Sequence, residues 1–244
     1  MLDREAFKRA AMRAIAETEG EGGIGTLSEK VMHRTLKLYY EPDVSYHEVE
    51  CLGSVADILN GTEIIEIQRS SLSYLLPKLK RFLPSYNVTV VHPIIAVKRI
   101  KWLDKATGEI TSSGRKTAGK RIYDVAFELY KIAPFLTNAR LTVRLPLLDC
   151  DVYKTRETRR GRSTSSRVEA IPIDIIDEIV LSTPRDYLVF LPDSLPDAFT
   201  ASDFNRAIKS RSRYSYYSLR LLSELELLTR VKEGRGYRYY RTNK

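Results

Sequence analysis

Residues 55–68 of this 244-residue chain read VADILNGTEIIEIQ. Short stretches rich in valine, isoleucine and leucine flank Asn60-Gly61 on both sides, and such stretches next to turn residues are typical of β-strands. Because Asn-Gly is favoured in tight hairpin turns, the stretch predicts two antiparallel strands, 55–59 and 63–68. Side chains two residues apart share one face of a strand, so the turn brings Asp57 near Glu66 and Gln68.

The segments around this hairpin predict an α/β fold. Thr26-Leu-Ser-Glu29 has the pattern of a capping box that opens a helix, and residues 87–97 are rich in the β-branched residues that strands favour. The predicted elements are, in chain order, a helix at 4–18, a helix from Thr26 to about Tyr40, strands 46–52, 55–59 and 63–68, a helix at 70–83, a strand at 87–97, a hairpin at 98–110, a helix at 119–135, a strand at 141–152, and a loop or linker at 155–167.

Two carboxylates in an otherwise apolar strand pair predict a metal site. Burying them costs several kcal/mol unless something compensates, and a divalent cation does so. Hard oxygen ligands suit Mg²⁺ or Mn²⁺. In the alternative interpretation, Asp57 and Glu66 are ordinary strand residues on a solvated face. His33 then has a structural role, although it lies close enough along its helix to reach the site. Carboxylates that point apart, or that are buried against lysine or arginine, would argue against the enzyme assignment and leave only the affinity of the C-terminal part for DNA.

The order helix, three strands, helix, strand, together with Asp57 and the element Glu66-Ile67-Gln68, resembles the PD-(D/E)XK nuclease superfamily. The resemblance implies a restriction-endonuclease-like mixed central sheet flanked by helices, and metal-dependent hydrolysis of phosphodiester bonds in DNA. It implies that Asp57, Glu66 and the carbonyl of Ile67 bind the metal, and that Glu29 matches a helix glutamate of resolvase-like members. Gln68 stands where the superfamily has lysine. As a catalytic residue it is expected to orient the attacking water by hydrogen bonding, but a neutral amide cannot stabilise developing charge as lysine does.

The C-terminal part resembles a winged helix-turn-helix domain. Thr200-Ala-Ser-Asp203 predicts a capped helix, Ser210–Arg213 a turn, and repeated leucines a second helix that ends near Leu228, before a glycine-tipped hairpin. The predicted domains are thus a nuclease-like domain, 1–170, and a small winged-helix domain, 175–244. By position, the resemblance implies DNA contacts from the exposed side of the recognition helix and from the wing: Arg213, Tyr216, Tyr217 and Arg220, then Arg235, Arg238 and Arg241.

Composition indicates the class of partner. The net charge is +9, and an excess of basic residues favours a polyanion such as DNA. No apolar run approaches the ~20 residues that span a bilayer, and the charged N-terminus lacks the features of a signal peptide, so we expect a cytoplasmic protein without a membrane partner. Two cysteines a hundred positions apart exclude a disulfide framework. The sequence does not decide whether the chain forms a homodimer.

Two other functions remain open. In the first, the chain is a DNA-binding regulator with an inactive nuclease-like domain, which the substitution at Gln68 favours. In the second, it is an adaptor whose basic tail binds an acidic protein.

Residues 114–121, GRKTAGKR, nearly match a Walker A phosphate loop, but Arg121 replaces the Ser/Thr that ligates Mg²⁺. We therefore expect a basic loop within reach of DNA phosphates there, and no nucleotide hydrolysis.

Overall fold

The computed structural model describes residues 2–19, 30–104, 107–159, 162–209 and 213–242. Glu29, with the rest of the predicted capping box, and most of the predicted turn at 210–213 lie outside these residues. The α-helices of the described residues are α1 Arg4–Glu19, α2 Lys30–Tyr40, α3 Leu76–Phe82, α4 Ala126–Tyr130, α5 Ala201–Ala207 and α6 Arg213–Glu224. The strands are β1 His47–Cys51, β2 Ser54–Asn60, β3 Glu63–Ile67, β4 Asn87–Val91, β5 Ile94–Leu103, β6 Ile110–Ala118, β7 Leu141–Arg159, β8 Arg162–Leu181, β9 Ala198–Thr200, β10 Leu228–Glu233 and β11 Gly236–Arg241.

A mixed sheet forms the centre of the molecule, which confirms the predicted α/β class. Its strand order is β1-β2-β3-β4-β7-β5-β6, and β8 pairs with β7. The first three strands form an antiparallel meander, and β3, β4, β7 and β5 are parallel neighbours. A parallel connection needs a crossover, which α3 supplies between β3 and β4. A smaller sheet, β10-β11-β9, lies in the C-terminal part.

The hairpin at residues 55–68 forms as predicted, with one change at its turn. Ile58 pairs with Ile65, and Asn60 pairs with Glu63. Asn60 is therefore the last paired residue, and the two-residue loop begins at Gly61, whose φ is +60°. A two-residue hairpin loop needs a positive φ at its first position, which glycine adopts without strain.

The sheet has an apolar core on each face. On one face, Phe7 of α1 and Leu36 of α2 belong to a buried cluster with Ile58 and Ile67. The other face is covered by α3, α4 and the C-terminal part, whose buried cluster includes Ile64, Leu79, Leu129, Phe204 and Leu222. The hairpin thus lies between two apolar layers, so a polar side chain on it needs a partner.

Several predicted segments differ in the structure. The strand predicted at 87–97 is divided into β4 and β5, and the hairpin predicted at 98–110 is formed by the longer strands β5 and β6. Residues 155–167 are not a linker, because β7 and β8 continue through them as an antiparallel pair as far as Arg159 and Arg162, with residues 160 and 161 outside the described part of the chain. Paired strands satisfy each other's backbone hydrogen bonds whether or not their side chains are apolar, so the loss of apolar residues did not end the strand. The helix predicted at 119–135 consists instead of α4 between two short 3₁₀ turns, Ile122–Asp124 and Ala133–Phe135.

The domain boundary predicted at 170–175 falls within a strand. Strand β8 runs through residues 170–175 without a break and ends at Leu181. Beyond it, Phe204 and Leu222 share one buried cluster with Leu129 of α4. The C-terminal part is therefore packed into the core of the rest and does not have a separate core.

Within the described residues, no helix combines the length and the apolar character needed to cross a bilayer.

Candidate functional site

Asp57 lies on β2 at the point where the ladder with β3 ends. Its Oδ2 accepts a hydrogen bond from the backbone N–H of Ile67 (2.7 Å) and lies 3.1 Å from Nε2 of His33 on α2. Burial acts to raise the pKa of Asp57, but the contacts with His33 and Ile67 outweigh it, so the pKa lies below its ordinary value. Asp57 is thus held as a carboxylate.

Glu66 lies on β3 and is 2% exposed. Both of its carboxylate oxygens accept hydrogen bonds from Nζ of Lys78 on α3, at 2.9 and 2.8 Å. Burial, followed by the negative charge of Asp57, raises the pKa of Glu66 to about 7, although Lys78 acts in the opposite direction. Near neutral pH, this carboxyl therefore exchanges its proton readily.

The negative charge of Asp57 acts on the carboxyl of Glu66, so the two side chains lie near each other. The paired part of β2 and β3 ends at Ile58 and Ile65, so Asp57 and Glu66 are the first residues beyond it on the two strands. Each of them already has a positive or proton-donating neighbour, Lys78 for Glu66 and His33 for Asp57. The structure thus brings the predicted pair near each other, but it also buries Glu66 against Lys78, which is an arrangement that argues against the enzyme assignment.

The residues after Glu66 are placed by strand geometry. The N–H and C=O groups of one strand residue point to the same edge, so the carbonyl of Ile67 lies on the Asp57 side of β3, as its N–H does. Gln68 is directed elsewhere, because its side-chain amide donates to the carbonyl of Ser71 (3.0 Å) and closes the turn before α3. Its backbone carbonyl contacts Nδ1 of His92 (2.5 Å), an imidazole whose pKa burial lowers to about 4.

Lys78 is the site residue that sequence reasoning missed. It is three residues after Leu75 and four before Phe82, both of which are buried. This spacing places its side chain on the apolar face of α3, where a lysine is unusual and needs a partner. The position of Lys78 on an apolar helix face was the feature of the sequence that could have identified it. For His33, the sequence indicated only that it could reach the site.

The donor set is small. Among the described residues, no three His, Cys, Asp or Glu side chains lie together as a ready set of metal ligands. A cation at this site would take oxygens from Asp57 and Glu66, with the remaining ligands drawn from carbonyl, phosphate or water oxygens. Glu29 belongs to the undescribed segment.

The predicted recognition helix is α6, and part of its predicted surface is covered. Tyr216 is exposed, but the ring of Tyr217 packs edge-on against Phe127 of α4, with centroids 4.6 Å apart. Arg220 donates to the hydroxyl of Tyr130 on α4 (2.6 Å) and to that of Tyr216 (3.0 Å). The prediction that Tyr217 and Arg220 face outward is therefore corrected, because both dock α6 onto α4. The side chain of Arg213 is outside the described residues.

The predicted wing is the hairpin of β10 and β11. Arg235 is exposed at its turn, and Arg238 pairs with Glu233 at 2.8 Å. Arg241 instead donates to the carbonyls of Pro192 and Leu195, at 3.2 and 3.3 Å. It therefore anchors β11 to the preceding loop, while Arg235 remains available at the surface.

The chain matches the family described as "Domain of unknown function (DUF8091)" over residues 30–182. It belongs to this family. The DUF8091 match contains α2, the hairpin and α3, and it ends one residue after β8. The chain is also 28% identical over 222 residues to an "Uncharacterized protein" of Treponema pallidum (strain Nichols), covering 88% of this chain and 86% of that protein. No solved structure matches the chain.

Proposed function

We propose that this protein is a metal-dependent nuclease that hydrolyses phosphodiester bonds of DNA at Asp57 and Glu66. The observation that carries the proposal is the pair itself, two carboxylates on neighbouring strands of which one has its pKa raised to about 7 by burial and by the other. The order α2-β1-β2-β3-α3-β4, with β4 parallel to β3, supports a restriction-endonuclease-like arrangement of this part.

The residues fit a hard divalent cation. Both contacts described for Asp57 end on Oδ2, and the carbonyl of Ile67 lies on the same edge of β3. The mutual repulsion of Asp57 and Glu66 is what a divalent cation relieves. Asp57, Glu66 and the Ile67 carbonyl would hold Mg²⁺ or Mn²⁺, which supplies a water of lowered pKa and polarises the phosphate.

The chain's own groups perform the remaining tasks. His33 holds the carboxylate of Asp57 in place through Nε2. Lys78 neutralises Glu66 in the metal-free chain, and its ammonium becomes available to phosphate oxygens once another cation takes over that carboxylate. Lys78 thereby supplies, from α3, the positive charge that Gln68 cannot.

The C-terminal part supports DNA as the substrate. The 3₁₀ turn Pro184–Phe190, β9, α5, α6, β10 and β11 follow in the order of a winged helix, and Thr200 caps α5 with Asp203 as predicted. Tyr216 and Arg235 remain exposed for phosphate contacts. Because Tyr217 and Arg220 dock α6, we assign DNA binding to the wing and to the start of α6.

The test is cleavage of supercoiled plasmid and of branched and single-stranded oligonucleotides with Mg²⁺ or Mn²⁺. We expect Asp57→Asn to lower the rate at least about 100-fold, since several kcal/mol of transition-state stabilisation depend on the bound ion. Glu63→Gln, which removes an exposed carboxylate from the neighbouring strand β3, is the matched control. Equal rates for Asp57→Asn, Glu63→Gln and wild type would refute the nuclease.

A second candidate is a DNA-binding regulator with an inactive site. The Lys78–Glu66 pair favours it, because a carboxylate that is already neutralised needs no metal. Calorimetric titration with Mn²⁺ separates the two. The nuclease requires binding that Asp57→Ala abolishes, whereas the regulator predicts the same absence of binding in both proteins.

A further inference from the structure

A pocket of about 310 Å³ opens between α2, β5, β7 and the segment 119–120. It is adjacent along the chain to the candidate site, since Met32 in its wall precedes His33 and Arg69 follows Gln68. The volume is at the lower end of the range for small-molecule pockets. Its lining is of two kinds, basic and apolar.

The basic lining comes from two parallel strands and a loop. On β7, Val152 and Lys154 are two residues apart and share one face. On β5, the register against β7 shifts between Ile95 and Val97, which turns Ile95 and Lys98 towards the same face. Lysines from both strands therefore reach one pocket, together with Lys120 and Arg69.

Backbone hydrogen bonds to β5 hold Lys120 at the pocket. The N–H of Gly119 donates to the carbonyl of Ala96, and the N–H of Lys120 donates to that of Ile95, both at 2.8 Å. A Cβ on Gly119 would lie 1.9 Å from the carbonyl oxygen of Ile95, so only glycine allows this approach. The segment that nearly matches a Walker A loop thus supplies Gly119 and Lys120 to the pocket, while residues 110–118 form β6.

The positive charge of the pocket is not neutralised by acidic side chains among the described lining residues. None of the described residues that line it is Asp or Glu. In the part of the chain that the structure describes, the ammonium groups of Lys98, Lys120 and Lys154 form no ion pair. Clustered like charges raise each other's free energy, and an anion relieves this.

The apolar part of the lining requires a ligand that also has an apolar surface. Met32, Pro93, Ile95 and Val152 line the same space, and Met32 and Val152 are buried. An inorganic anion would leave this surface without a partner, whereas a nucleobase or sugar can pack against it.

We propose that this pocket binds a nucleotide, either free or as one unit of a nucleic-acid strand, with its phosphate at Lys98, Lys120 and Lys154. The nucleoside lies against the apolar lining. The inference concerns binding alone and does not depend on metal at Asp57 and Glu66, so it is measured in EDTA, where cleavage cannot contribute.

The experiment is calorimetric titration of the full chain with adenosine 5′-monophosphate, adenosine, inorganic phosphate and a short single-stranded DNA. We expect the monophosphate to bind at least about tenfold more tightly than adenosine or phosphate. Lys120→Ala and Lys154→Ala should each weaken binding about tenfold, the usual worth of one charge-assisted hydrogen bond. Lys232→Ala, at an exposed position of β10, should change nothing.

Gly119→Ala moves Lys120 without removing its charge, and we expect a loss similar to that of Lys120→Ala, with circular dichroism confirming that the chain folds. Monophosphate binding that falls in the variants identifies a free nucleotide as sufficient. Loss confined to the DNA probe identifies a strand as the source. The proposal is overturned if the pocket variants alter the affinity of neither probe, or if phosphate alone binds as tightly as the monophosphate.

Discussion

Replacing Glu66 by glutamine tests the electrostatics of the candidate site. In the folded chain, the pKa of Glu66 rises from 4.5 to about 7. The folded state therefore holds this proton more tightly than the unfolded state, and the resulting stability is fully present below pH 4.5 and is lost as the pH rises through 7. At 1.36 kcal/mol for each tenfold change in proton affinity, the loss is about 3 kcal/mol. Because glutamine does not titrate, the Glu66→Gln variant does not lose this stability as the pH rises.

The assay is urea unfolding followed by circular dichroism at several pH values between about 5 and 8, in EDTA. Most of the 3 kcal/mol falls in this window, so the free energy of unfolding of wild type minus that of Glu66→Gln should decrease by about that amount. Asp57 does not interfere, because its pKa is lowered and its contribution to stability is lost only below pH 3.8. Glu63→Gln should follow wild type. A difference between wild type and Glu66→Gln that does not vary with pH would refute the reasoning.

Two further substitutions test the contacts that the sequence did not reveal. Lys78→Met removes the cation that lowers the pKa of Glu66. We expect the variant to be about 3 kcal/mol less stable than wild type near pH 8, and to differ from it less near pH 5, in urea unfolding. An equal loss of stability at both pH values would mean that the lysine contributes packing only. Tyr217→Ala removes the edge contact with Phe127, and we expect about 2 kcal/mol of destabilisation in a single thermal transition, because the C-terminal part shares the main core. Two separate transitions would contradict the shared core.

The sequence specified the features that depend on neighbouring residues. The short strand-like stretches on either side of Asn60-Gly61 predicted the hairpin and the proximity of Asp57 to Glu66, because the side-chain period of a strand and the length of a tight turn are local properties. The cap of Thr200 with Asp203 was predictable for the same reason, since its hydrogen bonds span three residues.

Contacts between distant segments were decided by the tertiary structure. Lys78 reaches Glu66, and His33 reaches Asp57, only because α3 and α2 pack on opposite faces of the sheet, a placement that depends on the sum of many apolar contacts. The inward docking of Tyr217 follows from packing against α4, and the continuation of β7 and β8 through residues 155–167 follows from backbone pairing. Residue patterns report local geometry and polarity. Which partner neutralises a buried charge is set by helices far apart in the chain.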